Sequence, residues 1–426
     1  MESILQSNES SLISALDYAP SNRMANYVER RESTQFFAPG TTDSPGGSKI
    51  IRIDINGAGF LLPDSIVLRA TVRNMATNTT TDKLYPLTPD LACMISEIKV
   101  TLGGTEVERV TSYSRIHEML MHGISKEKRQ NLAAMGFGTD GSTLAATPVD
   151  GPVKVLARPI CGLCSTHQYI PLWLLSTGVQ FEITLVDSPG AAVKTGTNYS
   201  ELWQWERVSV MCDIVSVSSE LMQSFAQHTL SGKSLVMSAL RSYTTIIFTN
   251  SAEQALLTIP RALTRLNGVF VTFVRSSGLT GTAKLGNTFH APGGKVDGSL
   301  PNDAFSPFVQ IGATRYPQGQ NEGTREFWWR YLSGLGVATS GQFTVQNSLP
   351  EYSGSSFIAL TDLEKVGGSA THSGESTYGA TLTIDLKNMA NTANSAGGTT
   401  YPDLIYISLY HDLLVDISDA GVTVAM

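Results

Sequence analysis

Charge is scarce in this sequence. Only 16% of its 426 residues are Asp, Glu, Lys or Arg, and 30 basic against 37 acidic residues leave a net charge of −7. That scarcity excludes a coiled coil, which draws on Glu, Lys and Ala. The sign excludes a strongly basic nucleic-acid-binding surface. Cysteine is scarce as well: Cys93, Cys161, Cys164 and Cys212 are too few for a disulfide framework and fit folding in a reducing compartment. No apolar run reaches the roughly 18 residues a membrane-spanning helix needs. The opening residues, Met1 to Leu12, lack the basic stretch followed by an apolar stretch that marks a secretory signal. Asn78-Thr-Thr and Asn198-Tyr-Ser match the glycosylation pattern, but without a signal they carry no expectation.

What is present is Gly, Ser, Thr and Asn in place of charge, and length enough for two to three domains of about 100–200 residues. A chain of this size hides about three quarters of its surface on folding, so a core needs no metal or disulfide. Residues 1–48 read as an N-terminal arm that ends in the Pro/Gly cluster Ala38-Pro-Gly-Thr-Thr-Asp-Ser-Pro-Gly-Gly47. Apolar residues around Ile13, Leu16, Met24 and Tyr27 suit short helices or a drape over a neighbour. The arm carries Arg23, Arg30 and Arg31, with Lys49 at its edge, against six acidic residues. An arm that neutralises phosphates needs the opposite balance.

After residue 49 the dominant period is two. Ile51, Ile53 and Ile55 alternate with polar residues, as do Ile66 to Val72, Ile98 to Leu102, Val179 to Leu185 and Val208 to Cys212. The second half repeats this at Val269–Phe273, Leu382–Leu386, Ile405–Leu409 and Val422–Val424. Such alternation puts one strand face on a core. Many short strands separated by Asn-Gly, Gly-Gly and Pro-Gly turns, without regular βαβ alternation, predict antiparallel sandwiches or barrels. Two segments read as helices. Thr111–Gly123 carries Tyr113, Ile116, Met119 and Leu120 at helical spacing. The other opens at Asn321 with Glu322 in its first turn, pairs Phe327 with Tyr331 and Trp328 with Leu332, and stops at Gly334 and Gly336.

These helices occupy matching places. Val100-Thr-Leu-Gly103 precedes the first, Val309-Gln-Ile-Gly312 the second, at an offset of 209 residues. The repeated order of elements predicts an internal duplication. The expected divisions are 1–48 (arm), 49–217 (first unit) and 218–426 (second unit).

No complete catalytic constellation is found, and no catalytic, cofactor-binding or metal residue is assigned. His117-Glu-Met-Leu-Met-His122 approaches the zinc-protease motif, but its histidines are five apart, about 140° around a helix, where four are needed. They read as solvated histidines. Cys161-Gly-Leu-Cys164-Ser-Thr-His167 supplies half of a zinc site, and Cys93 and Cys212 stand apart. Buried or loop thiols are the expectation, with Cys212 a small core residue. Ser231-Gly-Lys-Ser234 echoes a phosphate loop without its first glycine. No Gly-x-Ser-x-Gly elbow and no Gly-x-Gly-x-x-Gly after a strand appear. Asp385, Asp412 and Asp416 are scattered carboxylates whose separation the sequence leaves open. Trp328 is expected in the core, and Trp329 in a second packing layer or a subunit contact.

Two strand-rich halves of about 200 residues, each with a helix in a long loop, resemble the double jelly-roll major capsid proteins of icosahedral DNA viruses, the adenovirus hexon-like and tailless-phage coat lineage. The local matches are Tyr169-Ile-Pro-Leu-Trp-Leu-Leu175 running into Val179–Val186, Ser356–Lys365, Ser373–Thr377, Ala380–Leu386, Leu404–Asp412 and Gly421–Val424. The likeness covers roughly residues 45–426.

The resemblance implies an all-β fold of two tandem eight-stranded antiparallel jelly-roll sandwiches. It implies a coat protein rather than an enzyme, with no cofactor, located in the virion after assembly in the host cell. Homotrimers of six sandwiches would tile an icosahedral shell as pseudo-hexagons. The implied partners are further copies, penton and minor capsid proteins and an internal membrane, without sequence-specific nucleic-acid binding. The acidic balance fits a coat held apart from its genome. The alternatives are a carbohydrate-binding or glycan-cleaving β-sandwich protein and a minor capsid or vertex protein.

Overall fold

The computed structural model describes residues 27–77, 82–137, 152–193, 199–274, 289, 292, 305–319, 323–335, 349–354, 356–365, 374–389 and 402–425. Alternation becomes strand in the segments where it was read. In Ile50–Ile55 the residues Ile51, Ile53 and Ile55 are buried and their neighbours exposed. Val179–Leu185 buries Val179, Phe181, Ile183 and Leu185 in the same way.

The first half contains eight main strands: β1 (Val28–Phe37), β2 (Ile50–Ile55), β3 (Phe60–Asn74), β4 (Ile95–Leu102), β5 (Thr105–Thr111), β6 (Val153–Ala157), β7 (Val179–Leu185) and β8 (Trp203–Val217). They form two antiparallel sheets, ordered β1-β8-β3-β6 and β2-β7-β4-β5. The second half contains β9 (Leu235–Thr249), β10 (Ala255–Ile259), β11 (Leu266–Val274), β12 (Ser306–Ile311), β13 (Thr314–Tyr316), β14 (Ala359–Asp362), β15 (Leu382–Lys387) and β16 (Leu404–Ser418). Its sheets are ordered β9-β16-β11-β14 and β10-β15-β12-β13. The pairing order of the first half thus recurs in the second with every strand advanced by eight. A last strand, β17 (Gly421–Ala425), folds back on β16.

The 209-residue offset has a structural basis. Gly103 and Gly104, at φ +55° and +88°, close the β4–β5 hairpin, and Gly312, at φ +58°, opens the equivalent turn between β12 and β13. A two-residue turn with positive φ matches the twist of paired strands, and glycine enters that region without a Cβ penalty. Each hairpin leads to a helix: α1 (Tyr113–His122) in the first half and, further on, α4 (Thr324–Gly334) in the second. Three helices were not foreseen: α2 (Lys126–Ala134), α3 (Ser219–Leu230) and α5 (Leu349–Gly354). The linker helix α3 ends as Gly232, at φ +79°, donates its N–H to the Thr229 carbonyl. This is a C-terminal glycine cap, and it hands the chain to β9.

One expectation needs correction. Residues 28–37, assigned to the arm, form β1 and pair along β8 from Val217 to Ser209. The strand escaped notice because Glu29, Arg30 and Arg31 are exposed and its apolar pattern is weak. The ladder to β8, not side-chain burial, holds it. For Val269–Phe273 the outward face is expected to meet water or a second layer, and it meets a second layer. All nine residues of β11 are buried, because the first half covers the outward side. The expected helices in residues 1–26 and the helix start at Asn321 lie outside the described residues.

Each sandwich is filled from the inner faces of its sheets. In the first, Trp205 is fully buried and donates its indole N–H to Met94 Sδ at 3.2 Å. In the second, Phe273, Phe305, Phe327 and Phe357 meet edge-on or tilted at 5.5–6.3 Å. Tyr352 extends this cluster towards Trp328.

Candidate functional site: the joint between the two sandwiches

Helix α1 sits between the halves. After β5 the chain turns at Ser112, held at φ +53°, into the helix. Tyr113, Ile116 and Met119 join the buried core. Arg115, Glu118 and His122, spaced at helical intervals, form a second stripe. The Arg115 guanidinium reaches into the second half. Nε donates to Thr272 Oγ1 at 3.3 Å and Nη2 to the Phe273 carbonyl at 3.2 Å. Its plane lies 4.1 Å from the Phe289 ring centroid and 4.8 Å from that of Tyr406. Burial lowers its pKa to about 9, opposed by Tyr406 and Glu118, so it remains charged at neutral pH. Cation–π contacts strengthen when water is excluded.

Glu118 accepts from Arg129 Nη2 at 2.5 Å and lies 3.6 Å from His122 Nε2. Burial pushes its carboxyl upward, but Arg129 and the two histidines outweigh that and hold it below the usual range. His122 also meets the Phe289 ring edge-to-face at 5.2 Å.

A second set of contacts is organised by Glu108. A bulge in β5 leaves Val107 as the extra residue, since Val100 faces Glu108 and Thr101 faces Glu106. The Glu108 carboxylate is fully buried and accepts from Gly162 N at 2.8 Å, Leu163 N at 3.1 Å and Ser242 Oγ at 2.9 Å. Ser242 belongs to β9, in the other half. Burial raises the Glu108 pKa, and the three hydrogen bonds partly offset it. The adjoining loop grips β9 as well. Thr166 Oγ1 donates to the Ser238 carbonyl at 3.1 Å, Ser238 N donates to Gln168 Oε1 at 2.8 Å, and Thr111 Oγ1 donates to the Thr245 carbonyl at 3.3 Å.

The residues singled out in the sequence fall apart as catalytic sets. His117 and His122 are both buried, against the expectation of solvated side chains, because α1 is enclosed by both halves. They face different carboxylates: His117 Nδ1 lies 3.5 Å from Asp90 Oδ2, and His122 faces Glu118. Cys161 and Cys164 are buried, His167 is exposed and bonded to Asp64 at 2.9 Å, and Cys93 and Cys212 lie buried elsewhere. Ser231–Ser234 is the turn after α3, not a phosphate cradle. Asp385 lies on β15, whereas Asp412 and Asp416 lie on β16 in the opposing sheet, with Asp412 buried against Asn267 Nδ2 at 2.6 Å. Four strand residues separate the latter two by about 13 Å, beyond the spacing of a glycosidase pair. Trp328 is partly buried against the core, tilted over Tyr352 at 4.8 Å, and Trp329 is 55% exposed. Among the described residues no three His, Cys, Asp or Glu side chains converge as metal ligands.

Sequence reading missed Glu108 and Arg115. Glu108 gives no usable signal, since its strand Thr105-Glu-Val-Glu-Arg-Val-Thr111 is mostly polar. Nothing local reveals Arg115, whose partners lie 157 and 158 residues away. The arrangement is suited to holding two domains at a fixed angle: desolvated, hydrogen-bonded charge specifies one register between apolar surfaces.

No family model matches the sequence, and no curated protein matches it. Solved structures do. The PBCV-1 protein VP54, fitted into a reconstruction of the virophage Sputnik, is 11% identical, with a TM-score of 0.64 over 94% of this chain and 97% of that one. The Sputnik virophage structure gives 10% identity and a TM-score of 0.62 over 96% and 91%. The Faustovirus major capsid protein gives 8% and 0.54 over 94% and 92%. Identity this low carries the fold alone, and the fold is the double jelly roll of these proteins.

Proposed function

We propose that this chain is a viral major capsid protein that self-assembles as a pseudo-hexagonal homotrimer and tiles an icosahedral shell in the virion. The observation that carries the reading is the repeated strand order, two eight-stranded sandwiches fixed side by side by a buried joint. Three such chains present six similar wedges around one axis, the symmetry a hexagonal lattice position requires. Matching over nine tenths of the chain to VP54 and to the Sputnik and Faustovirus structures supports the reading. So does a surface low in charge, which suits large contacts between copies. The role is structural, with no catalytic step. Penton and minor capsid proteins and an inner membrane are the further partners of such a shell.

Light scattering on the purified chain tests this directly. The expected mass is about 137 kDa, three times the 45.8 kDa chain, and negative-stain images should show hexagonal outlines. A stable monomer that never assembles overturns the proposal. The arm is proposed to lock neighbouring trimers. Since β1 is integral to the first sandwich, the informative deletion is residues 1–26. It should leave trimers intact and reduce shell yield; undiminished shells would refute the locking role.

A further inference from the structure

The Cys161-Gly-Leu-Cys164 pair is left over by the proposed function. The two thiols lie beside each other, and that proximity together with burial pushes the Cys161 thiol well above its usual range. Gly162 enters a tight helical turn, Leu163–Ser165, closed by Ser165 N donating to the Gly162 carbonyl at 3.0 Å. Cys161 lies just before that turn and Cys164 within it, with Ser165 Oγ donating to the Cys161 carbonyl at 2.9 Å; a tight four-residue turn brings its end Cα atoms within about 7 Å, close to the roughly 4.4–6.8 Å that a disulfide spans. Both cysteines also line a cavity of about 520 Å³ between the halves, with Asp90, His117, Tyr243 and Tyr410 on its other walls. The peptide between the thiols supplies the two N–H groups that hold Glu108, and Glu108 holds Ser242 of the second sandwich.

We propose that Cys161 and Cys164 are a paired-thiol modification site that a peroxide closes to a disulfide, stapling the turn that grips the second sandwich. One thiolate attacks hydrogen peroxide. The O–O bond breaks, an S–O bond forms, and hydroxide leaves and takes up a proton. The second thiol then attacks the sulfenic sulfur, so that the S–S bond forms as the S–O bond breaks. The displaced hydroxyl leaves as water with the second thiol's proton. Two thiols lose two electrons in all, and one peroxide yields two waters. The sulfurs have almost no exposed surface, and the cavity they line is the route by which so small an oxidant would reach them. Neither of the other cysteines has this arrangement. Cys93 donates to the carbonyls of Asp90 and Thr88 at 3.4 and 4.0 Å, and Cys212 lies buried on β8 away from another thiol. The chemistry stands apart from the assembly proposed above; only its use, tightening a particle after it leaves a reducing cell, rests on that reading.

The test uses the full chain, assembled or not. Purified reduced protein is treated with equimolar hydrogen peroxide, denatured under thiol-blocking conditions, and weighed and peptide-mapped. Expected are a loss of about 2 Da, a fall in titratable thiols from four to two, and a cross-link joining residues 161 and 164. The thermal midpoint should rise by roughly 4 °C and return on adding dithiothreitol. The variants Cys161→Ala and Cys164→Ala should show neither change. Four thiols surviving, sulfur oxides in place of the cross-link, or loss of Cys93 and Cys212 instead would overturn the site. A cross-link that leaves the thermal midpoint unmoved would overturn the staple.

Discussion

At the scale of single residues, the joint places two buried carboxylates under opposite regimes. Glu118 is held below its ordinary pKa by Arg129 and two histidines, in spite of burial. A group depressed on folding contributes stability above its unfolded value, about 4.3, and loses it as pH falls through the folded value. Glu118→Gln should therefore cost about 3 kcal/mol at pH 7, with the difference from the parent shrinking in urea titrations below about pH 4. Glu108 is raised by burial, so its sign reverses. Its contribution is complete below the unfolded value and is lost as pH climbs through the folded one. Melting curves should show the parent gaining on Glu108→Gln as pH is lowered from about 8 to 5. A parallel pH response in the two proteins would show that Glu108 does not titrate across the joint. His411 is likewise poised by burial, which lowers its pKa. As a neutral ring, its Nδ1–H donates to the Asp412 carbonyl at 3.0 Å, leaving Nε2 to accept from Thr244 at 3.1 Å.

At the scale of elements, strand edges and turns decide what is tolerated. The edge strand β1 is exposed at Glu29, Arg30 and Arg31, and Arg31 pairs with Asp213 at 2.6 Å. Charge on an edge blocks unwanted strand addition. In the second sandwich the edge strand β13 is only three residues long, another way of limiting the same hazard. Turn glycines differ in what surrounds them. A Cβ at Gly104 meets open space, so Gly104→Ala should cost only the left-handed penalty, about 1 kcal/mol. At Gly178, φ +67°, a Cβ would sit 2.0 Å from Asn56 Oδ1 and 2.3 Å from the Ile55 carbonyl. Gly178→Ala should lose about 3 kcal/mol or more. Chemical denaturation of both variants checks the contrast, and equal losses would contradict it. The amphipathic helix α1 was legible from its own spacing. Helices α2 and α3 were not, because their apolar residues are too few or too evenly spread to mark a face before the neighbours are known.

At the scale of the whole molecule, duplication was visible in outline and its consequence was not. The matched Gly103 and Gly312 gave the offset, and the structure turns it into one strand order used twice. Exposed Trp329, beside Arg330 and Tyr316 in a shallow groove, is the aromatic that α4 presents outward. Large exposed aromatics anchor interfaces. If the chain forms the proposed trimer, Trp329→Ala should weaken its association about 30-fold in dilution experiments, a loss of about 2 kcal/mol, while leaving the melting of the isolated chain unchanged. An undisturbed association constant would remove Trp329 from the contact.

The sequence by itself determined the local geometry: which residues alternate, where glycine must turn the chain, and that two β-rich halves follow one plan. Those features depend on neighbours a few residues apart, which the sequence displays. Only the tertiary structure decided that β1 belongs to the first sandwich, that β11 is buried on both faces, and that Arg115, Glu108 and the Cys161–Cys164 turn meet the second half. These depend on contacts between residues 70 to 189 positions apart, and a polar side chain looks the same in the sequence whether water or another domain comes to face it.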